Sequence, residues 1–461
     1  ERLVEREHVR REGDSVQTVQ MYHHEKAIAR HMKRIIAGPS GLPAIIIEKA
    51  IPWAEAQVKV SLAEQQREAL ERALSSKISI ITGGPGTGKT TMLKALVRIL
   101  GAKQVGMVLA APTGRAAQRM HESTGHAAQT IHRLLKYEPG SGRFVHREGN
   151  PIHGEFFVVD EASMLDTALA AALLAAIPAH AHLVIVGDIY QLPSVGPGQV
   201  LRDWIDSELT PVTRLTAIYR QTAGSAIVSL AHEILEGHSE APSAVASLER
   251  VDPGKELHFI HAPDGASAQH ILVELCTRYF PKWYPQDHRT GVQILAPMHR
   301  GEVGTVALNR MIQQAVNPHG HALPGIPLRV GDRVIQTRNL YEKNVFNGDL
   351  GVIEAVDPDA VTLTADFERE VVTFERLELG DLQLAYAISV HKSQGSEFPI
   401  VVIPLLKEHY IMLQRNLLYT AITRSRHKVF LIGDPAAYTL AVRKAEATRR
   451  HTRLLEKLLK P

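Results

Sequence analysis

Hydrophobic and polar positions along the chain follow two different rhythms. In residues 1–58 the pattern is polar and helical: "HHEKAIARHMKRIIAG" puts Ala27, Ile28, His31, Met32 and Ile35 on one face and basic side chains on the other. That spacing predicts an amphipathic helix docked on a neighbouring domain, followed by a loop at "GPSGLP". From Ile78 onward the apolar residues gather instead into short runs, "ISIIT", "VGMVLA", "FFVVD" and "HLVIVGD", separated by helical segments. Runs that are apolar on both faces and alternate with helices predict a parallel sheet in an α/β domain. A second set begins at "VQILAP" and resumes with "PIVVIPLL" and "KVFLIGD". Between its two parts, "DRVIQT", "LGVIEAV", "AVTLTADF" and "EVVTFE" form strands at short spacing, which predicts a small β-barrel inserted into the second α/β domain.

These rhythms divide the chain into a helical lead (1–58), a first α/β lobe (59–245), a helical connection (246–289), a second lobe (290–325 and 381–440), an inserted barrel (326–380) and a basic helix (441–461). The basic helix has two readings, a contact with nucleic acid or a partner, and a solvated charged face. A length of 461 residues suits two to four domains with large buried cores. The chain opens on Glu1 and runs into a charged segment, as a fragment of a longer polypeptide would.

Charge and composition narrow the classes. A net charge of +3 permits a polyanionic partner but confines any basic surface to a local patch. One cysteine, Cys276, excludes a disulfide framework and any cysteine-based zinc site, and fits a reducing compartment such as the cytoplasm. No apolar stretch approaches the roughly 20 residues that cross a bilayer. The 24 histidines invite a metal reading, but "HESTGH" places Gly125 where a zincin has its second histidine.

The strongest chemistry lies in "GGPGTGKTT". It supplies Gly83, Pro85, Gly86, Thr87, Gly88, Lys89, Thr90 and Thr91 between a strand and a helix. Glycines there let backbone N–H groups wrap phosphates, the helix N-terminus adds a favourable dipole, Lys89 reaches the β and γ phosphates, and Thr90 ligates Mg²⁺. ATP and Mg²⁺ are therefore the expected cofactors. Downstream, "FFVVDEAS" ends a strand in two carboxylates: Asp160 can hold Mg²⁺ and Glu161 can orient or deprotonate a water. A third strand ends in "VGDIYQLPSVGPG", where Asp188 and Gln191 sit at the carboxyl edge of the sheet and Gln191 could report the γ-phosphate to the following loop. Arg220 in "AIYRQ" and Arg424 in "YTAITRSR" are either surface ion-pair partners or arginine fingers on the transferred phosphoryl group.

In this order, "GGPGTGKTT", "APTGRAA", "VVDEASMLD", "GDIYQLPSVGPG", "YRQ", "SVHKSQGSEF" and "NLLYTAITRSR" resemble the helicase motifs of superfamily 1B, in the wording of its RecD-like branch. The long stand-alone RecD class is the nearest match, and the resemblance covers about residues 60–434. It implies two RecA-like P-loop lobes that bind ATP in the cleft between them, a β-hairpin inserted in the first lobe and an SH3-like barrel in the second. It also implies movement 5′ to 3′ on single-stranded DNA and a role in DNA repair or recombination. Carried over by position, Gln66 would contact adenine, while Gly395 and Glu397 of "HKSQGSEF" would lie near the nucleotide.

Candidate DNA contacts are Thr113 and Arg115 in "APTGRAA", His132 in "TIHRLL", Thr337, Asn339 and Asn347 around "QTRNLYEKNVFNGDLG", and His391. Tyr341 and Phe346 either stack on bases or pack the barrel. The Gly-rich stretch 137–155 is expected to be the family's hairpin, turning at "GN" or "GSG", and its two readings are a wedge at the duplex junction and a plain cover over the sheet. Single-stranded DNA and its junctions with duplex are the expected partners, with no membrane and no named repair protein, and one complete cleft per chain makes a monomer sufficient. The competing functional reading is a DNA-stimulated translocase that remodels protein–DNA complexes without unwinding.

Overall fold

The computed structural model describes residues 8–13, 15–138, 140–217, 224–367, 370–445 and 450–460. Arg220 lies outside the described residues, as does the side chain of Tyr341. The chain divides into two compact units, one of Glu1–Ala223 with Arg449–Pro461 and the other of Gly224–Thr448.

The first unit opens with an antiparallel pair, β1 (Val9–Glu12) and β2 (Ser15–Thr18), then helices Val19–Ile36 and Ile47–Val58. Its centre is a six-stranded, wholly parallel sheet of β3 (Ile78–Gly83), β4 (Met107–Ala111), β5 (Ala128–Thr130), β8 (Phe156–Val159), β9 (His182–Gly187) and β10 (Val212–Leu215), ordered β10-β3-β9-β8-β4-β5. Between β5 and β8 lies a short antiparallel hairpin, β6 (Tyr137–Glu138) and β7 (Arg143–Phe144). Period-two alternation sends the sheet's side chains into two cores. Ile78, Ile80, Phe157, Val159, Leu183 and Ile185 join one, together with Ile28, Met32, Leu173 and Trp204. Ile81, Phe156, Val158, Val184 and Val186 join the other, with Ile51, Leu70, Met92 and Leu96. Both faces are therefore covered by helices, as the continuous apolar runs require.

The lead helix Val19–Ile36 docks as expected on Ile28, His31, Met32 and Ile35, with Ala27 half-buried against the same core, and its buried face also holds Glu25 and Ala29. Glu25 is fully buried because Lys457 meets it, Nζ to Oε2 at 2.6 Å. Lys457 belongs to helix Leu454–Leu459; of the basic helix expected over 441–461, residues 446–449 lie outside the described residues. Neither expected fate describes that helix. Its Leu454 and Leu458 enter the first unit's core, its Lys457 pairs with Glu12 and Glu25, and the preceding Arg453 pairs with Glu456.

The second unit has a five-stranded parallel sheet of β11 (Leu257–His261), β12 (Val292–Ala296), β18 (Ala387–Ser389), β19 (Phe398–Leu405) and β20 (Ser425–Gly433), ordered β11-β20-β19-β12-β18. Between β12 and β18 the chain inserts five antiparallel strands, β13 (Arg333–Gln336), β14 (Leu350–Asp357), β15 (Thr362–Asp366), β16 (Val371–Phe374) and β17 (Leu382–Leu384), around Val334, Ile353, Leu363 and Phe374. The insert thus reaches beyond 380, since β17 pairs with β13. The stretch 246–289, expected to be a helical connection, holds helices Gly265–Glu274 and Phe280–Trp283 and also contributes β11. "LHFIH" carries two histidines that mask its strand pattern, and His258 is buried by stacking on Phe430 at 4.3 Å. Among the described residues, no helix is long and apolar enough to cross a membrane.

Candidate nucleotide and nucleic-acid sites

The carboxyl edge of the first sheet gathers the candidate nucleotide residues. β3 leads into the loop "GGPGTGK" and helix Lys89–Ala102. Within that loop Gly86 and Gly88 hold φ of 76° and 79°, a region open to glycine at little cost. Lys89 Nζ donates to Gly83 O at 2.5 Å and Gly84 O at 2.8 Å. Thr87 Oγ1 donates to Gly84 O at 2.8 Å, fixing the loop from within. Pro85 and Thr91 are half-buried and Thr90 is exposed.

Gln66 sits under this loop rather than open to a base. Its Nε2 donates to Thr87 O at 3.2 Å and its Oε1 accepts from Ala63 N at 3.0 Å. A Cβ built on Gly88 would collide with Gln66 Nε2, so the glycine is required twice over.

One strand away from β3, and beyond the interposed β9, β8 ends at Asp160. Its Oδ1 accepts from Glu161 N at 2.8 Å. Burial first, and then the Glu161 charge, push the Asp160 carboxyl above the usual carboxylate range, while Lys89 and Arg119 pull it back. Glu161 holds φ 52°, a left-handed conformation rare outside glycine, and such strain gathers at functional positions. At the end of β9, buried Asp188 accepts from Tyr190 N at 3.0 Å and from Gln191 Nε2 at 3.2 Å. The amide of Gln191 is thereby oriented, and its Oε1 is buried without a hydrogen-bond partner among the described residues.

The residues present fit a nucleotide with a divalent cation. The loop is a preformed phosphate cradle, Gln191 offers an unused acceptor, and Thr90 and Asp160 are the oxygen donors for Mg²⁺. Among the described residues no three of His, Cys, Asp and Glu converge, so such a cation would draw its remaining oxygens from the nucleotide and water.

The second unit holds Arg424, 3 % exposed. Its guanidinium donates to Thr420 O at 3.3 Å, Ser396 O at 3.3 Å and Thr423 Oγ1 at 3.5 Å. It is therefore not a surface ion-pair residue. Gly395 holds φ 74°, and Glu397 pairs with Arg426, Oε2 to Nε at 3.2 Å.

The candidate DNA contacts scatter. Thr113 Oγ1 accepts from Ala116 N at 3.2 Å and so caps helix Gly114–Thr124, the usual service of a threonine at that position. Arg115 is half-buried beside it. His132 lies under the hairpin, its ring 6.2 Å from Tyr137 and 5.9 Å from Phe144, and burial lowers its pKa. Of the two expected turns, "GSG" is the one that β6 and β7 flank, while near "GN" a single bridge from Arg147 to Asn150 encloses Glu148 and Gly149. Thr337 donates to Asp381 O at 2.9 Å, and exposed Asn339 accepts from the backbone of exposed Asn347 at 2.9 Å. Phe346 is 6 % exposed. His391 is half-buried in the turn His391–Ser393. Next to it, Lys392 lines an open groove of about 1330 Å³ in the second unit, together with Arg310, Arg329 and Arg376. Sequence reasoning missed these four, because they come from separate elements and no local run of basic residues marks them.

Comparison with known proteins matches three segments of the chain. Residues 61–258 match the AAA domain family, 308–367 the SH3 domain of ATP-dependent RecD-like DNA helicases, and 384–432 the UvrD-like helicase C-terminal domain. A Deinococcus radiodurans protein, the ATP-dependent RecD2 DNA helicase, is 37% identical over 437 residues, which cover 94% of this chain and 57% of that protein. This chain therefore spans little more than half the length of that relative. The RecBCD enzyme subunit RecD of Mycolicibacterium smegmatis is 33% identical over 411 residues, covering 82% of this chain and 72% of that one. A Bacteroides Pif1 helicase solved with ADP-AlF3 and single-stranded DNA aligns with a TM-score of 0.48 at 20% identity, covering 81% and 92% of the two chains.

Proposed function

Because the chain belongs to the RecD-like family of helicases, we propose that it hydrolyses ATP to move 5′ to 3′ along single-stranded DNA and to separate duplex ahead of it. The observation that carries this reading is the carboxyl edge of the first sheet, where Lys89, the Asp160–Glu161 pair and an oriented Gln191 end three strands of one layer. In the reaction, water oxygen bonds to the γ-phosphorus as the bond to the β,γ-bridging oxygen breaks. Gln191 Oε1 accepts a hydrogen bond from that water, and Glu161 takes its proton. Lys89 and the loop amides hold the phosphates, and Arg424 is the cationic group for charge on the transferred phosphoryl, a role shared by Arg220 in the family's pattern. Thr90 and Asp160 would hold Mg²⁺, which would supply charge neutralisation to the phosphates.

The groove lined by Arg310, Arg329, Arg376 and Lys392 is the proposed track for the DNA backbone, since a motor gains from gripping phosphates rather than reading bases. The hairpin 137–155 is the proposed wedge. Opening each base-pair step costs about 1.4 kcal/mol of stacking, which ATP hydrolysis covers. The β6–β7 ladder has two residue pairs, Tyr137 with Phe144 and Glu138 with Arg143. That shortness favours the second reading, a translocase that displaces bound proteins without opening duplex. Two duplexes alike except for a 5′ or a 3′ single-stranded tail test both readings, with Lys89→Ala as the inactive control. Unwinding of the 5′-tailed duplex alone supports the helicase, whereas DNA-stimulated ATPase with neither duplex opened assigns the translocase.

A further inference from the structure

The loop that follows Gln191 is held from two sides. On one, Thr167 donates to Pro197 O through both its backbone N and its Oγ1, each at 3.0 Å. There is no room for a side chain at Gly196 or Gly198, whose built Cβ atoms collide with Asp166 and Thr167. Asp166 and Thr167 open the helix that follows Asp160 and Glu161. On the other side stands Arg450. Its Nη1 donates to Gly196 O at 2.5 Å, Gly198 O at 2.7 Å and Ser194 Oγ at 3.3 Å, and its Nη2 donates to Ser194 O at 2.6 Å. Two residues on, Thr452 Oγ1 donates to Asp203 Oδ2 at 2.8 Å, in the helix that the loop leads into. Leu454 and Leu458, each 1 % exposed, and the buried Lys457–Glu25 pair then anchor the segment in the first unit.

Arg450 is thus a cation that spends these four hydrogen bonds on one loop, and whose chain comes directly from the other unit. Helix Pro435–Arg443 of the second unit ends seven residues before it (443 to 450). Seven residues reach at most about 25 Å when fully extended. This stretch is the covalent path from that helix to Arg450.

We propose that segment 450–460 is a tether by which the second unit sets the position of the Gln191 loop, with Arg450 as the positioning residue that makes ATP hydrolysis responsive to DNA. The guanidinium fork suits this role, because it addresses three carbonyls in fixed geometry where an ammonium cannot. The idea rests on the ATP-driven, DNA-stimulated reading above.

The test measures steady-state ATP turnover with and without a single-stranded oligonucleotide, in wild type, Arg450→Ala, Arg450→Lys and a variant with about eight Gly/Ser residues inserted within 446–449. The insertion keeps every contact of Arg450, so it slackens the tether without unseating it. The expected result is a stimulation factor reduced about fivefold or more by Arg450→Ala and by the insertion, and less by Arg450→Lys, with oligonucleotide affinity within about twofold of wild type. An insertion variant stimulated as strongly as wild type overturns the tether and leaves Arg450 a local brace, with the ATPase reading intact. A wild-type protein that DNA does not stimulate overturns that reading and the tether together.

Discussion

Replacing Gly88 with alanine probes the phosphate loop where it is most constrained. Gly88 holds φ 79°, and a Cβ there runs into Gln66 Nε2. Left-handed backbone costs a residue with a Cβ about 1–2 kcal/mol. The collision also displaces an amide that donates to Thr87 O and accepts from Ala63 N. Each of those hydrogen bonds contributes about 0.5–1.5 kcal/mol. The total is about 2–5 kcal/mol, and the loop escapes it by giving up the conformation that presents its amides to phosphate. At about 1.4 kcal/mol per factor of ten, the lower bound raises the nucleotide Kd about 30-fold. Titration with a fluorescent ATP analogue reads this directly. A Gln66→Ala background removes the collision but leaves the backbone cost, so there the Gly88→Ala penalty should shrink by about 1 kcal/mol or more. An equal penalty in both backgrounds refutes the steric role of Gln66, and wild-type affinity in the single variant refutes the whole account.

Three further outcomes follow from the same physics. Replacing 138–143 with two glycines should abolish strand separation while DNA-stimulated ATPase stays within about twofold of wild type, and loss of both activities together counts against the wedge. Glu25→Ala leaves the buried Lys457 with Glu12, 3.3 Å away, as its remaining carboxylate among the described residues, and urea unfolding should show a loss of about 1–3 kcal/mol; replacing both residues with leucine should cost much less, and equal losses would mean the pair is not the source. Burial lowers the His258 pKa from 6.5 to about 4, so as pH falls the unfolded chain takes up that proton first. Its contribution is complete above pH 6.5 and is lost as pH falls toward 4, so His258→Phe should flatten the melting temperature over that window, and an unchanged slope assigns the acid sensitivity elsewhere.

What the sequence disclosed and what it withheld divide along chain distance. The phosphate loop and the carboxylates after β8 were legible because each is a strand end followed by a turn, a pattern written within about ten residues. The hairpin was legible from its glycines. The order of the strands was not: β9 lies between β3 and β8 although it follows both, and nothing local encodes which parallel strand is whose neighbour. The partner of Glu25 is 432 residues away, and a glutamate inside a helical stripe looks like an interruption until its lysine is seen. His132 read only as a candidate DNA contact, and the aromatic rings over it arrive by a fold-back that spacing alone does not show. The groove arginines and Arg450 were missed for the same reason, since each acts through a surface assembled from distant segments.

The exposed turn of the hairpin has a practical consequence. A Cβ at Gly140 meets nothing within 4 Å, so Gly140→Cys should be accepted without rearrangement. The chain's single native thiol, Cys276, is held at a pKa pushed up to about 12 by burial, so at neutral pH its reactive thiolate is scarce. A maleimide dye would therefore mark the turn alone, in an otherwise unaltered molecule. Fluorescence from that position would report whether a DNA fork reaches the hairpin during turnover.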